Sequence, residues 1–477
     1  MKNIDSIEEL RGTRCDVLGI GISNLPLIEI LLGAGASVTA RDKKSREALG
    51  DNAFRLEEKG VRLILGENYL DGIDADVIFR SPGIRPDLPQ ITSAVRKGAV
   101  LLSEMELFFK LTKSNIIAVT GSDGKTTTTT LTHLFLSKQL ERHGGARAYV
   151  GGNIGAPLLP KYEEMTERDY AVLELSSFQL MTMGKAPSRA AITNVTPNHL
   201  NWHADMDEYI RAKRNVFGEE TLLVLNAEND ITRDIANERG RDMILFSSKK
   251  ASFDEIVSSA MKNVSAVFLR NGKLVYSDGS TEDIILDASE IKLAGIHNVE
   301  NYMTAIALTW GLVDKDIYAE VASSFGGVEH RLEFVREYMG VKYYNSSIDS
   351  SPTRTSAALS AIKTPKIVIC GGYDKNIPFE PLADALCENA KCAVLTGAAA
   401  MKIKNALLSC PKYSPEKLKI VEEDDFDDAV LTARDCAESG DTVLLSPACA
   451  SFDRFSNFEE RGNHFKKLVL SFGENKN

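Results

Sequence analysis

Short apolar, β-branched runs alternate with helix-length amphipathic segments along almost the whole chain: "CDVLGIG", "ASVTARD", "ADVIFRSPG", "NIIAVTG", "YAVLELSS", "AAITNVT", "LLVLN", "KIVICGG", "CAVLTG" and "DTVLLSP". Strands that are continuously apolar and separated by helices belong to parallel sheets covered on both faces. The expected fold class is therefore α/β. A chain of 477 residues is too long for one ordinary core, and its length favours about two to four domains. The helical stretch "SEMELFFKLTKS" and the segment "SSFGGVEHRLEFV" mark the boundaries, giving three domains at 1–113, 114–327 and 328–477. Within 247–290, "NGKLVYSDGS" reads as a hairpin in a small antiparallel elaboration.

A formal charge of −11 and a pI near 5.4 argue against nucleic acid or an anionic membrane as partner, while leaving room for a local basic cleft that binds small anions. The start "MKNIDSIEEL" lacks the apolar segment of a signal peptide, and no stretch has the length to span a bilayer. We expect a cytoplasmic protein. The seven cysteines contain no Cys-x-x-Cys pair, so neither a disulfide framework nor a zinc site is expected.

The segment "IIAVTGSDGKTTTTTLTHLF" carries the strongest chemical signal. After a strand, Gly121, Ser122, Asp123, Gly124, Lys125, Thr126 and Thr127 lead into a helix. Glycines let backbone N–H groups turn onto phosphate oxygens, the helix N-terminus favours negative charge, lysine adds a cation, and a threonine hydroxyl suits magnesium. This pattern predicts a nucleoside triphosphate site, although Val119 stands where the ordinary P-loop has its first glycine. A triphosphate brings Mg2+, which needs further oxygen ligands. Glu174, near the end of the apolar strand in "YAVLELSSFQL", is a candidate for one. His199 and His203, in "NVTPNHLNWH", are equal candidates on spacing alone.

The first module, "VLGIGISNLPLIEILLGAGASVTARD", has the strand, Gly-x-Gly turn, helix, strand and Asp42 of a dinucleotide-binding unit, but Asn24 occupies the third glycine position. In the last module, "ICGGYDKNIPF" and "LLSPACASFDRFSNFEERG" both follow strands; they read equally as cleft-lining loops or as surface turns.

Taken together, "GIGIS", "RSPGI", "TGSDGKTTT", "GGNIG", "LELSSFQL", "NVTPNHL", "AKRNVF", "GIHNVENYMTA", "EHRLEF", "GGYDK" and "LSPACASFDRFSNFEERG" resemble the Mur ligase family over nearly the whole length. The stretch from Leu445 to Gly462 resembles its D-glutamate-adding branch in particular, and the "DNPR" motif of the diamino-acid-adding relatives is absent. The shortened phosphate loop is similar to the family's own form. The resemblance implies a Rossmann-like first domain, a P-loop ATPase-like central sheet and a Rossmann-like last domain. It also implies a monomer using ATP and Mg2+ to phosphorylate the carboxylate of UDP-N-acetylmuramoyl-L-alanine, after which D-glutamate attacks the acyl phosphate to form an amide for peptidoglycan.

By position, the resemblance gives Lys125 the transferring phosphate, Thr126 and Glu174 a magnesium ion, and His199 a second one. Lys213 matches a lysine that the family carbamylates; read alone it is a solvated helix charge. Asn298 and Asn301 match residues near adenine, and Arg331 one that meets ATP. Ser23, Asp42, Lys43 and Ser81 match the UDP surroundings, with Asn153 and Gln179 nearer the muramoyl part. Lys375, Ser451 and Phe458 match residues holding D-glutamate. One segment departs: where relatives read Asn-Asp-Ser-Lys-Ala-Thr-Asn, this chain has "NSSIDSS", with Ser346 for the aspartate and Ile348 for the lysine. Asp349 is the candidate replacement for the ribose contact, and Ser350 keeps the hydroxyl expected for D-glutamate.

Three rivals remain at this point. One is another ligase of the superfamily, either a Mur ligase adding a different amino acid or a folylpolyglutamate synthase, the latter having no use for a UDP-binding first domain. A nucleotide-switched binding protein would hydrolyse nucleotide without an amino acid, and a dehydrogenase would bind a nicotinamide cofactor.

Overall fold

The structure, a computed structural model, describes residues 4–200, 202–293, 295–374 and 378–473. Its contacts divide it into two units, Met1–Phe325 and Gly326–Asn477. The first unit holds two sheets. The five-stranded one runs from edge to edge as Arg62–Leu65, Ser37–Asp42, Arg14–Leu18, Val77–Arg80 and Val100–Leu102, all parallel. The chain starts in the middle strand and winds outward in both directions, so a ligand crevice opens beyond the carboxyl ends of Arg14–Leu18 and Val77–Arg80.

The nine-stranded sheet runs Glu282–Asp287, Lys273–Ser277, Lys262–Arg270, Arg241–Ser247, Leu222–Asn226, Arg189–Ile192, Asn115–Thr120, Tyr170–Glu174 and Ala148–Gly152. Its core strands are apolar in their central positions because helices cover both faces, as in Asn115–Thr120, where Ile117, Ala118 and Val119 are fully buried. The expected hairpin forms at Asn271-Gly272, both with positive φ (50° and 76°), the geometry that matches strand twist in a two-residue turn. It extends the main sheet by two antiparallel strands.

The second unit is a six-stranded sheet, Glu333–Tyr338, Val341–Asn345, Thr442–Leu445, Lys366–Gly371, Cys392–Thr396 and Lys419–Glu423, parallel except at its first pair. The α/β class is thus observed in all three sheets. The expected boundary at 113/114 lies between the helix Glu104–Leu111 and the strand Asn115–Thr120, inside the first unit, and that at 327/328 lies two residues beyond its end. Among the described residues no helix is long and apolar enough to cross a membrane, and all seven cysteines are free thiols.

Candidate active site

The phosphate loop sits between the strand Asn115–Thr120 and the helix Lys125–His143. Gly121 and Gly124 have φ of 147° and 79°. A Cβ on Gly121 would collide with Thr193 Oγ1, and one on Gly124 with Asn301 Oδ1, so both positions need glycine on steric and conformational grounds. The loop is braced from outside: Ser122 N–H donates to Asn194 O at 2.9 Å, Asp123 N–H to Asn194 Oδ1 at 3.0 Å, and Thr193 Oγ1 to Asp123 O at 2.5 Å. Ser122 Oγ lies 3.0 Å from the Tyr209 hydroxyl and accepts from Thr196 N–H. Lys125 Nζ donates to Ser122 O at 2.9 Å, which folds the lysine back over the loop.

Asn301 accepts from Thr128 Oγ1 at 3.3 Å and donates to Asn298 Oδ1 at 3.2 Å. Both asparagines lie on the helix Ile296–Thr309, which therefore reaches the phosphate-loop helix. Glu174 ends the neighbouring strand, paired with Val119 on one side and Gly152 on the other. It is 2% exposed, not a solvated strand end. Asn153 Nδ2 donates to Oε1 at 2.8 Å, whereas Oε2 is buried with no hydrogen-bond partner among the described residues. A carboxylate oxygen stripped of water without exchange is costly unless a cation joins it. That orphan oxygen and the Thr126 hydroxyl fit a hard dication such as Mg2+, with substrate phosphate oxygens completing its shell. Among the described residues no group of three or more His, Cys, Asp or Glu side chains would hold a metal unaided.

Lys213 corrects its reading as a solvated charge: it is 1% exposed, because the helix Met206–Arg214 turns this face inward. Its Nζ donates to Gly121 O at 2.7 Å and lies 4.6 Å from the Tyr209 ring centroid. Burial, then the charge of Lys125, pulls its pKa down to about 6, leaving a neutral amine at pH 7. The two histidines also separate. His203 is buried, with Nδ1 3.0 Å from Glu208 Oε1 and Nε2 2.9 Å from Ser177 Oγ, so both nitrogens are engaged. His199 is exposed, its ring nitrogens have no bond among the described residues, and its ring packs edge-on against Phe178 at 5.0 Å. Partial desolvation of its ring and the charges of Lys125, Lys213 and His203 lower its pKa, which favours a ligating neutral imidazole.

In the first sheet, Asp42 binds the Gly-x-Gly turn itself, accepting from Ile20 N–H at 2.6 Å, and its other oxygen accepts from the nearby Lys44 N–H at 2.8 Å. Asn24 donates to Gly19 O at 2.8 Å and Ser81 Oγ at 3.1 Å. The residue read as a missing glycine thus fastens the turn to the "RSPGI" loop. Ser23 precedes the helix Asn24–Gly33, and Lys43 is exposed beside Glu67. Gln179 accepts from Ser176 N–H and Oγ, both at 3.0 Å, and caps the helix Ser177–Leu180.

In the second unit the two glycine- and serine-bearing loops do meet. Gly371 N–H donates to Pro447 O and Tyr373 N–H to Ala450 O. Arg461, absent from the residues picked out by sequence, donates to Cys449 O, Ala450 O, Ser347 O and Ser347 Oγ and holds this turn from beneath. Ser451 is buried, and Phe458 opens the final helix, its carbonyl accepting from Ser347 Oγ at 2.8 Å. Ser350 is half-buried and Arg331 exposed. Lys375 lies outside the described residues. Asp349, read as a replacement ribose ligand, is turned inward: it is 6% exposed and accepts from Ser446 Oγ at 2.8 Å. Ser346 Oγ accepts from Leu332 N–H at 3.1 Å, another internal bond. In this arrangement both side chains serve the fold.

Residues 119–309 match the Mur ligase middle domain and 330–449 the Mur ligase, glutamate ligase domain. The chain is 48% identical over 464 residues to a UDP-N-acetylmuramoylalanine--D-glutamate ligase of Clostridium novyi, covering 96% of this chain and 97% of that protein. A ligase of the same description from Acetivibrio thermocellus is 46% identical over 473 residues, covering 98% of each. Among solved structures, the UDP-N-acetylmuramate-alanine ligase of Thermotoga maritima is similar with a TM-score of 0.53 at 19% identity, over 96% of this chain and 99% of that one.

Proposed function

The chain belongs to the Mur ligase family, and from that premise we infer that it is an ATP-dependent carbon–nitrogen ligase that adds D-glutamate to UDP-N-acetylmuramoyl-L-alanine in peptidoglycan synthesis. The full-length likeness to ligases described by that reaction carries this reading, because it spans the phosphate loop and the second unit together.

We further propose the roles of individual residues. The backbone N–H groups at the start of the helix, from Gly124 to Thr127, and the Lys125 ammonium hold the triphosphate, with Gly121, Ser122 and Asp123 shaping the loop beneath it, Asn298 and Asn301 on the adenine side, and Arg331 as a further ATP contact. Glu174, Thr126, His199 and a carbamylated Lys213 hold Mg2+, which supplies charge neutralisation at the transferring phosphoryl group. A neutral buried amine is the form that reacts with CO2: its nitrogen bonds to the CO2 carbon and gives up a proton, and the carbamate so formed replaces a neutral nitrogen with an anionic oxygen donor. The Gly19–Ser23 turn, Asp42, Lys43 and Ser81 take the UDP portion, and Asn153 and Gln179 the muramoyl portion. Lys375, Ser350, Ser451 and the N-terminus of the helix at Phe458 take the D-glutamate carboxylates, a cation and hydroxyls suiting an acidic amino acid. The substrate carboxylate attacks the γ-phosphorus of ATP and releases ADP. The D-glutamate amine then attacks the acyl phosphate, and the tetrahedral intermediate collapses to amide and phosphate.

Three functional domains, 1–113, 114–327 and 328–477, a monomeric state and a cytoplasmic location complete the proposal. The test is phosphate release with ATP, Mg2+ and UDP-N-acetylmuramoyl-L-alanine, comparing D-glutamate with L-glutamate, L-lysine and diaminopimelate, and weighing the product by mass spectrometry. An adduct with D-glutamate alone is expected; no adduct with any amino acid overturns the reading.

A further inference from the structure

We propose that Arg85 is a positioning residue that locks the "RSPGI" loop of the first sheet to the turn bearing His199 and to the helix bearing Lys213. The inference rests on the ligase reading for its effect on turnover, and on geometry alone for the lock itself.

Arg85 reaches across the sequence with both Nη arms of its guanidinium. Nη1 and Nη2 donate to the two oxygens of Glu208 at 3.1 and 2.9 Å. Nη1 also donates to Trp202 O at 2.6 Å, and Nε and Nη2 donate to Asp87 at 2.8 and 2.7 Å. The guanidinium carbon stands 5.0 Å from the Trp202 ring centroid, and Trp202 Nε1 donates back to Gly83 O at 3.1 Å. A lone exposed ion pair contributes little. This one is a bidentate fork, with a guanidinium side chain 23% exposed and a Glu208 side chain 16% exposed, stacked on an aromatic ring, where Arg geometry has no equivalent in Lys.

The far side of the lock is the metal side of the proposed site. The carbonyl of His199 accepts from the N–H groups of both Trp202 and His203 at 3.0 Å, and His199 is in the left-handed region at φ 55°, where a non-glycine residue needs external support. Phe178 packs against Trp202 at 4.4 Å and His199 at 5.0 Å. Glu208 stands in the helix Met206–Arg214 that carries Lys213. Holding Arg85 in place therefore fixes the backbone of one proposed metal ligand and the start of the helix carrying another. Fold integrity is served elsewhere: the neighbouring Arg80 is fully buried and donates to Phe178 O, Thr182 Oγ1, Pro82 O and Ile84 O.

The chain has two tryptophans, and Trp310→Phe leaves Trp202 as a single fluorescent reporter. In that background, ligand-free Arg85→Ala is expected to make Trp202 at least about twofold more quenchable by acrylamide, because the cation covering its ring is gone. The same variant is expected to lose roughly 10- to 100-fold in kcat for D-glutamate ligation, as when the support of a metal ligand is removed. Its KM for ATP should change by less than about threefold. Arg85→Lys is expected to resemble Arg85→Ala, and Glu208→Gln to move both readouts in the same direction with side-chain volume kept. Unchanged quenching and kcat in Arg85→Ala overturn the proposal, as does full rescue by Arg85→Lys; if Arg85→Ala fails to fold, Glu208→Gln decides by the same two readouts. A wild-type protein that ligates no D-glutamate would overturn the assigned function instead, and the ligand-free quenching would still decide the lock.

Discussion

Lys213 Nζ donates to the carbonyl oxygen of Gly121 at 2.7 Å, which places a buried amine directly against the phosphate loop. Burial and the nearby Lys125 charge hold its pKa at about 6, against an ordinary lysine value of 10.5. Between those values the unfolded chain binds the extra proton and the folded chain does not, so stability rises with pH across that window and the effect flattens below about 6. Lys213→Met lacks the titrating group and should lose this rise. Denaturant unfolding at a series of pH values in CO2-free buffer measures it; an equal slope in both proteins would mean that Lys213 keeps its proton when folded.

Glu174 presents one satisfied and one orphan oxygen. Glu174→Gln preserves the Asn153 bond to Oε1 and removes the buried charge, so the ligand-free protein should hold its stability or gain about 1 kcal/mol. Charge stabilisation at phosphoryl transfer would be lost, and kcat should fall by roughly 100-fold or more. Thermal melting without ligand and initial rates at saturating Mg2+ test both halves. Loss of stability together with activity would make Glu174 a structural residue.

What the sequence made legible follows from how locally each feature is encoded. Parallel strands buried on both faces write their apolar runs directly into the chain, so the three sheets and the Asn271-Gly272 hairpin were readable. The phosphate loop was readable because strand, glycines, lysine and helix are contiguous. Burial of Lys213 was not, since on a helix with charged neighbours only tertiary packing decides which face turns inward. Asn24 looked like a missing glycine because its partner Ser81 is 57 residues away. Arg85 and Glu208, 123 residues apart, form a charge pair that no local pattern announces. The altered "NSSIDSS" segment invited a substitution by proximity in sequence, and the inward turn of Asp349 toward Ser446 is a matter of packing.

Gly124→Ala puts a Cβ on a residue at φ 79° and against Asn301 Oδ1. The backbone strain alone should cost about 1–2 kcal/mol, and displacement of Asn301 disturbs its bonds to Thr128 and Asn298. ATP KM should rise by roughly tenfold or more while the KM for D-glutamate stays within about threefold, since the loop holds only the nucleotide. Gly33→Ala is the control, with open space around its Cβ and a helical backbone, and should be neutral or stabilising by up to about 1 kcal/mol. A Gly124→Ala protein with unchanged ATP kinetics would remove the loop from the nucleotide site.

Asp349 separates a ribose-binding role from a structural one. Burial raises its pKa despite the bonds it receives, the mark of a carboxyl group taken from water to serve an internal contact. Truncation in Asp349→Ala removes the carboxylate acceptor of the Ser446 hydroxyl and leaves the Thr355 hydroxyl oxygen, 2.9 Å away, as its remaining neighbour. The expected cost is about 1–3 kcal/mol of stability in the second unit, with ATP KM changed by less than about threefold. Asp349→Asn keeps an acceptor oxygen for Ser446 and should recover most of that stability. Denaturant unfolding paired with ATP titration of initial rates distinguishes the roles. A large rise in ATP KM with stability intact would restore Asp349 to the ribose and require its carboxylate to leave Ser446 when nucleotide binds.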